Sequence, residues 1–326
     1  MTTYFITGGY GFLGQFIVQA VHEYESQAQL RVLVRTQRKT FLDLNELERV
    51  TWVRGELTRP ASFIEHLKSV DTVIHNAALV SFSPARRQEI FEANVIGTRN
   101  LAQAALEAGC KNFIFISSIS AVEFRPPQIT DETFFPDLET KQKYDMYGYT
   151  KRLSEIELQA MKDRMRIIIL NPSVILGPGS ERVEAVINLA RKFPILPMMD
   201  YTNAFVDVRD VARAVTLALT KGRSGERYLV STHNVSMLEF TRLIVKALGK
   251  KTPVFRLPPL GLKLADSFVA LLDVLRLNPG IRHPSQMNID KPCSYEKIKT
   301  EMGWEPKFTL TQSIADSVHR TQSPPV

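Results

Sequence analysis

Cysteine is scarce in this 326-residue chain, and its apolar runs are short. Cys110 and Cys293 are too few for a disulfide framework, and they lack the Cys/His spacing of a zinc site. No basic region or cleavage site accompanies the first apolar segment, residues 4–6, which argues against a signal peptide. We therefore expect a cytoplasmic protein without a metal site.

A long hydrophobic span is lacking as well. The most hydrophobic late stretch, residues 260–277, is interrupted by Lys263, Asp266, Asp273 and Arg276. Charges at these intervals predict an amphipathic helix rather than a membrane span.

The composition is that of an ordinary globular chain, with 44% hydrophobic and 23% charged residues. These proportions exclude the disordered and fibrous classes. The net charge of +7 comes from Lys and Arg scattered among Asp and Glu, so no nucleic-acid surface is indicated. We expect an anionic small molecule instead, as cofactor or substrate.

Short β-rich runs alternate with longer helical stretches over the first 170 residues. Helices are predicted at Phe12–Tyr24 and at residues 90–108. Alternation of this kind indicates βαβ units, and therefore an α/β fold with a doubly wound parallel sheet. The predicted strands are YFIT, RVLV, VTWV, TVIH, FIFIS and RIIIL.

Glycines follow the first predicted strand in the segment TGGYGFLG. Gly8, Gly11 and Gly14 allow a tight turn, and Phe12 and Leu13 open the next helix. Such a turn lets the backbone approach a pyrophosphate, which the helix N-terminus stabilises. A turn without a ligand is the alternative, but its place after the first strand favours a dinucleotide site of the Rossmann type.

The remainder of the chain is less regular and richer in proline. Helices are predicted at residues 183–192 and 237–248. We expect residues 1–170 to form the dinucleotide-binding domain, with residues 204–232 roughly returning to it. Residues 171–203 and 233–326 are then a smaller, interleaved substrate-binding lobe.

Arg35 ends the second predicted strand, where an NAD-binding protein usually carries an acidic residue for the ribose hydroxyls. A guanidinium can bind a 2′-phosphate that a carboxylate would repel. With Arg38 and Lys39 nearby, NADP(H) is favoured over NAD(H), which stays possible. The alternative is that Arg35 is simply a solvated strand end.

Tyr147 and Lys151 lie four residues apart in YDMYGYTKRLSE, so a helix places both side chains on one face. A phenol needs a nearby positive charge to exchange protons at neutral pH, and Lys151 can supply one. Tyr144 and Tyr149 miss this spacing, and we interpret them as packing or substrate-contacting residues.

The order of these motifs resembles the extended short-chain dehydrogenases/reductases. TGGYGFLG is followed by HNAA, NVIGTRNL, FIFISSISAV and then the Tyr–Lys pair. The resemblance implies that Ser118 binds the substrate oxygen, that Tyr147 transfers the proton, and that Lys151 lowers the tyrosine pKa and binds the nicotinamide ribose. Besides Tyr147, Lys151 and Arg35, it implies cofactor contacts at Thr7, Gly8, Gly11, Phe12, Leu13, Glu56, Leu57, Ala77, Ala78, Leu79, Asn94, Ser117, Asn171, Pro172 and Val174.

Several of these positions have simpler interpretations. Taken alone, Asn94 is typical of a helix cap, and His75 is typical of a buried core histidine without a proton-transfer role. Ser117 can exchange roles with Ser118, although strand alternation lets only one of them point into the site. Glu56 stands where the family usually has Asp, which puts the adenine contact in doubt.

Later segments indicate a branch of this superfamily. NPSVILGPG, residues 171–179, resembles a segment of dihydroflavonol reductases, and AFVDVRDVARA, residues 204–214, resembles cinnamoyl-CoA reductases. In the second segment Arg209 and Asp210 have a structural alternative, as a cap or an ion pair. The proline-rich lobe suits an apolar substrate better than a sugar diphosphate.

We therefore expect NADP(H)-dependent reduction of a ketone or aldehyde. The alternatives are nucleotide-sugar epimerisation or dehydration with bound NAD(P), alcohol oxidation as in 3β-hydroxysteroid dehydrogenases, and a non-catalytic NADP(H) sensor. Members of this family commonly pair two long helices across a two-fold axis. The corresponding residues here are 90–108 and 147–162, and the resemblance therefore further implies a homodimer.

Overall fold

A seven-stranded parallel sheet forms the centre of the computed structural model, which describes residues 1–36, 42–275, 284 and 288–322. Its strands run in the order β10-β6-β5-β4-β1-β2-β3. The predicted α/β fold with a doubly wound parallel sheet is confirmed. The sheet consists of β1 (Thr3–Thr7), β2 (Gln29–Val34), β3 (Val50–Arg54), β4 (Thr72–His75), β5 (Asn112–Ile116), β6 (Arg166–Pro172) and β10 (Glu226–Val230).

Helices cover both faces of this sheet, because its central strands carry apolar side chains on both sides. Tyr4 and Ile6 of β1 belong to one core, and Phe5 between them belongs to the other. The helices of the described residues are α1 (Phe12–Tyr24), α2 (Arg87–Phe91), α3 (Gly97–Glu107), α4 (Leu138–Tyr144), α5 (Met146–Gln159), α6 (Glu181–Lys192), α7 (Val208–Lys221), α8 (Met237–Ala247), α9 (Pro259–Val274), α10 (Glu296–Met302) and α11 (Leu310–Gln322).

The helix predicted at residues 90–108 is two helices joined by a wider turn. A π-helical turn, Glu92–Ile96, connects α2 to α3. Such turns occur frequently at functional sites, because they free a carbonyl and redirect the side chains around it.

The chain leaves the large sheet twice. After β6 it forms β7 (Val174–Leu176), β8 (Leu196–Met198) and β9 (Thr202–Asp207), then returns through α7 and β10. It leaves again through β11 (His233–Ser236) and β12 (Val254–Arg256). Residues 204–207, predicted to return to the first domain, lie in β9 of the three-stranded sheet β11-β9-β7.

The end of the chain is fastened to α7 by a buried carboxylate. Asp210 accepts hydrogen bonds from the amides of Lys307 and Phe308, and Trp304 Nε1 donates to the Asp210 carbonyl at 2.9 Å. Trp304 is completely buried. In the structure the VDVRDVA segment therefore connects α7 to the segment that precedes α11.

The predicted amphipathic helix at residues 260–277 corresponds to α9 as far as Val274, and Arg276 lies outside the described residues. Within the described part of the chain, no helix is both long and apolar enough to cross a membrane.

Candidate active site

A cleft of about 440 Å³ opens at the carboxyl ends of β1, β2, β3 and β4. Residues 7–11, 33–36, 55–58 and 76–79 line it, together with Glu89, Glu92 and Ala93. In open α/β sheets this edge is where ligands bind. Of the predicted cofactor residues, it contains Thr7, Gly8, Gly11, Arg35, Glu56, Leu57, Ala77, Ala78 and Leu79.

The glycine turn packs backbone directly against backbone at Gly8 and Gly14. Gly8 has a φ of +74°, and a Cβ at Gly8 would lie 2.8 Å from the Ala77 nitrogen. A Cβ at Gly14 would lie 2.0 Å from the Gly8 oxygen. Gly11 caps α1 without any side-chain hydrogen bond, so the amides at the helix start, around Phe12 and Leu13, are available to an anion. The residues present therefore fit a pyrophosphate.

Hydrogen bonds fix the loop after β4 against this turn. Thr7 Oγ1 accepts from the Ala77 amide at 3.1 Å and lies 2.7 Å from His75 Nδ1. The second ring nitrogen of His75 lies 2.8 Å from Thr98 Oγ1. Burial, together with the charge of Lys151, lowers the pKa of His75 to about 3, so the ring is neutral at physiological pH. His75 is a buried core histidine in this structure.

Arg35 is exposed at the far end of the cleft. It also lines an adjoining depression of about 370 Å³, together with Arg54, Glu56, Arg59 and Ser62. Glu56 Oε2 lies 3.4 Å from Arg59 Nε. Three arginines thus line this depression next to the cleft. Arg38 and Lys39, which the sequence placed beside them, lie outside the described residues.

Tyr147 lies in the first turn of α5. The Asp145 side chain caps this helix by accepting from the Gly148 amide at 3.1 Å. A Cβ at Gly148 would lie 2.3 Å from the Ser120 oxygen, so glycine allows α5 to approach the turn that follows β5. That turn begins with Ser118, whose Oγ accepts from the Ser120 amide at 3.1 Å.

The hydroxyls of Tyr147 and Ser118 interact directly. Burial raises the pKa of Tyr147 to about 12, a hydrogen bond with Ser118 lowers this pKa, and the Asp145 charge raises it. At neutral pH Tyr147 is therefore protonated, as a proton donor must be.

Lys151 is nearly inaccessible, with 2% of its surface exposed. Its Nζ donates to the Ile116 carbonyl at 2.6 Å and lies 4.1 Å from the centre of the Phe115 ring. Burial lowers the pKa of Lys151 to about 7, and the Glu155 carboxylate opposes this shift. Lys151 is therefore balanced between its charged and neutral forms near physiological pH.

Asn94 is not a helix cap, contrary to the interpretation from its position alone. It lies in the middle of the π-helical turn, because the helix already begins at Arg87. Its side-chain oxygen accepts from the Leu79 amide at 2.7 Å, and its nitrogen donates to the Leu79 carbonyl and to Thr150 Oγ1. Asn94 thus connects the cofactor loop to α5.

A buried carboxylate joins the strand ends behind Ser118. Glu155 Oε1 accepts from Ser117 Oγ at 2.5 Å and from Asn171 Nδ2 at 2.6 Å. Its other oxygen lies 3.0 Å from Arg152 and 3.1 Å from Arg227. Ser117 therefore points toward Glu155, whereas Ser118 points toward Tyr147.

The end of β6 completes the surroundings of Ser118. Asn171 Nδ2 also donates to the Ser118 carbonyl at 3.0 Å. Within the described part of the chain, Asn171 Oδ1 has no hydrogen-bond donor although it is buried. Pro172 is the last residue of β6, and Val174, at the start of β7, is partly exposed.

A family comparison agrees with this geometry. Residues 4–231 match the model of the NAD dependent epimerase/dehydratase family. The chain belongs to this family. Its relatives are NAD(P)-dependent enzymes of the extended short-chain dehydrogenase/reductase type.

Proteins that are similar to this chain have several different enzyme names. A protein of Synechocystis sp. with the provisional name dihydroflavonol 4-reductase is 28% identical over 98% of this chain and 94% of its own. Sterol demethylase protein B of Methylococcus capsulatus is 30% identical, over 98% of this chain and 97% of its own. The solved UDP-glucose 4-epimerase of Thermus thermophilus, in complex with NAD, is 20% identical and shares the fold, with a TM-score of 0.77 over 99% of this chain and 100% of its own.

Sequence reasoning missed three residues around the site. Asn76 Nδ2 donates to the Gly8 carbonyl at 3.3 Å, and the Phe82 ring packs edge-on against Tyr147 at 6.3 Å. Glu155 had a detectable signal, since it follows Lys151 by the same four residues that separate Tyr147 from Lys151. Tyr144, which was interpreted from its spacing as a packing or substrate-contacting residue, is 54% exposed.

Proposed function

We propose that this protein is an NADP(H)-dependent reductase of a ketone or an aldehyde. The observation that carries the proposal is the Tyr147 hydroxyl, hydrogen-bonded to Ser118 and backed by the buried Lys151 on the same helix face. Ser118 follows β5, which lies next to β4 in the sheet. The loop that follows β4 lines the cofactor cleft. Proton donor and cofactor cleft are therefore on the same edge of the sheet.

The residues of the cleft have separate tasks in holding the dinucleotide. The glycine turn and the start of α1 would hold the pyrophosphate, Arg35 would bind the 2′-phosphate, and residues 77–79 would contact the nicotinamide half. Glu56, Leu57 and the end of β6 from Asn171 to Val174 supply further contacts. When bound, the nicotinamide supplies or takes up the hydride.

The pKa values in the site indicate which group donates the proton to the substrate. Ser118 Oγ holds the substrate oxygen, and Tyr147 donates its proton to that oxygen as negative charge develops there. A phenol with a pKa of about 12 gives up its proton reluctantly, so the Lys151 ammonium must stabilise the phenolate that forms. The Glu155 carboxylate raises the pKa of Lys151 against the effect of burial, and so favours the charged form.

Reduction is favoured over epimerisation by the cation at Arg35 and by the relatives named as reductases. Cinnamoyl-CoA reductase 1 of Oryza sativa subsp. japonica is 28% identical over 73% of this chain. The second candidate, nucleotide-sugar epimerisation, is supported by a UDP-glucose 4-epimerase of Vibrio cholerae, which is 26% identical over 95% of this chain. A 3-beta-hydroxysteroid dehydrogenase of Mycolicibacterium neoaurum, 25% identical, supports the oxidative direction with the same residues.

Cofactor consumption separates these two candidates. A reductase oxidises one NADPH for each carbonyl reduced and releases both products, whereas an epimerase returns its cofactor unchanged. We expect NADPH consumption with members of a panel of ketones and aldehydes, and none with UDP-sugars. Conversion of a UDP-sugar without net NADPH loss would establish the epimerase instead.

The preference for NADPH should depend on Arg35. We expect Arg35→Ala to weaken NADPH binding roughly tenfold, the equivalent of one charge-assisted hydrogen bond, and to leave NADH binding unchanged. Fluorescence titration of both cofactors measures this, with the exposed Arg164→Ala as the control. Equal affinities of the wild type for both cofactors would contradict the assignment.

Assembly and location stay predictions. A homodimer would pair α3 and α5, which lie side by side and are linked by an Arg99–Glu157 ion pair. Ile156, on α5, is 39% exposed and offers an apolar contact on that surface. Both cysteines are free and buried, which suits the cytoplasm.

A further inference from the structure

Helix α9 directs an apolar stripe away from the protein. Leu260, Leu264, Phe268 and Leu271 are between 54% and 69% exposed, and their spacing of four, four and three residues places them on one helix face. Val269, only 3% exposed, lies on the opposite face. An ordinary surface helix buries its apolar side, whereas α9 has apolar side chains on its exposed side as well.

The apolar surface continues beyond the helix start. Strand β12 leads into α9 and pairs with β8, so that Phe255 lies beside Pro197. Phe255 is 41% exposed, and Ile195, just before β8, is 50% exposed. The Leu257 amide donates to the Met198 carbonyl at 2.8 Å, which fixes the start of α9 next to this pair of strands.

Positive charge adjoins this apolar surface near the start of α9. Residues 242–275 contain six Lys and Arg but only two acidic residues. Lys250 Nζ donates to the Ala190 carbonyl at 2.9 Å, which brings it to the end of α6, beside Arg191 and Lys192. The exposed cations of the surface are Arg191, Lys192, Lys250, Lys251, Arg256 and Lys263.

We propose that α9 and the exposed residues around it dock onto an anionic lipid surface, with the helix lying in the plane of the interface. Helices of this kind insert their apolar face at the boundary between headgroups and acyl chains, while Lys and Arg contact the lipid phosphates. A second copy fits this surface less well. A two-fold contact would place the same cations opposite one another. The inference does not depend on the proposed reaction.

Vesicle sedimentation of the full chain tests the proposal. We expect the protein to sediment with phosphatidylcholine vesicles that contain phosphatidylglycerol, and to be released by salt. Leu264→Ser with Phe268→Ser should weaken binding roughly tenfold or more, since each buried methylene contributes to insertion. Lys263→Gln should weaken it roughly fivefold, as expected for one charge near the surface.

Ile64→Ser is the matched control, because Ile64 is an exposed apolar residue far along the chain from α9, in the segment after β3. It should bind vesicles as the wild type does. Because Leu264 and Phe268 are exposed, their replacement should leave the thermal unfolding midpoint unchanged. Failure of the wild type to bind anionic vesicles would overturn the proposal. A dimer in light scattering that Phe268→Ser converts to a monomer would overturn it as well, since a second copy would then cover the surface.

Discussion

Replacing Tyr147 by Phe should reduce carbonyl reduction by on the order of 10²- to 10⁴-fold, the range for loss of a general acid. The hydroxyl is the group that touches Ser118, and Phe retains the ring that packs against Phe82. The fold and NADPH binding should therefore be kept. Steady-state kinetics and a cofactor titration on the same preparation measure the two effects.

Tyr144→Phe is the matched control for this substitution. Tyr144 lies three residues away, is largely exposed, and has the Lys143 ammonium 5.0 Å from its ring centre. Removal of the Tyr144 hydroxyl should leave the rate of carbonyl reduction unchanged. Near-normal reduction by Tyr147→Phe would mean that the proton comes from another group.

Lys151→Met should impair both catalysis and cofactor binding. Met fills the space of the buried side chain without its charge, and so removes the ammonium that stabilises the phenolate together with the proposed ribose contact. We expect kcat/KM to fall by on the order of 10²- to 10³-fold, as for loss of one electrostatic stabiliser. NADPH affinity should fall as well, which distinguishes this variant from Tyr147→Phe.

The dependence of kcat/KM on pH tests whether Lys151 carries the positive charge that the reaction needs. Its pKa of about 7 means that the ammonium is present below this pH and is lost above it, whereas Tyr147 stays protonated to about 12. Reduction by the wild type, measured as kcat/KM, should therefore decline as pH rises through about 7. The residual activity of Lys151→Met should lack this decline, and a decline that persists in the variant would assign it to another group.

Much of the large domain could be predicted because its signals are local. All six predicted strands are present, and α1 has the predicted bounds, since apolar runs and the glycine turn determine these elements directly. The spacing of Tyr147 and Lys151 gave their common helix face for the same reason. Strand alternation predicted that only one of Ser117 and Ser118 points into the site, and the family resemblance favoured Ser118.

The remaining features depend on contacts between distant segments. The π-helical turn at Asn94 arises because the Asn94 carbonyl accepts from Thr98 and Ser154, and Ser154 lies 60 residues away. Strand β10 was not among the strands predicted from the sequence, because this short segment forms a strand through its pairing with β6. Glu155 gains its importance from Arg227 on that same strand, a pairing without a sequence motif.

Transfer of deuterium from NADPH that carries deuterium at both C4 positions tests the central claim most directly. With a carbonyl compound that the wild type turns over, we expect the label in the product, on the former carbonyl carbon, with one NADP⁺ formed per product. Tyr147→Phe should form the same labelled product far more slowly. Product that carries no label, or a UDP-sugar converted while the cofactor keeps its oxidation state, would contradict the account.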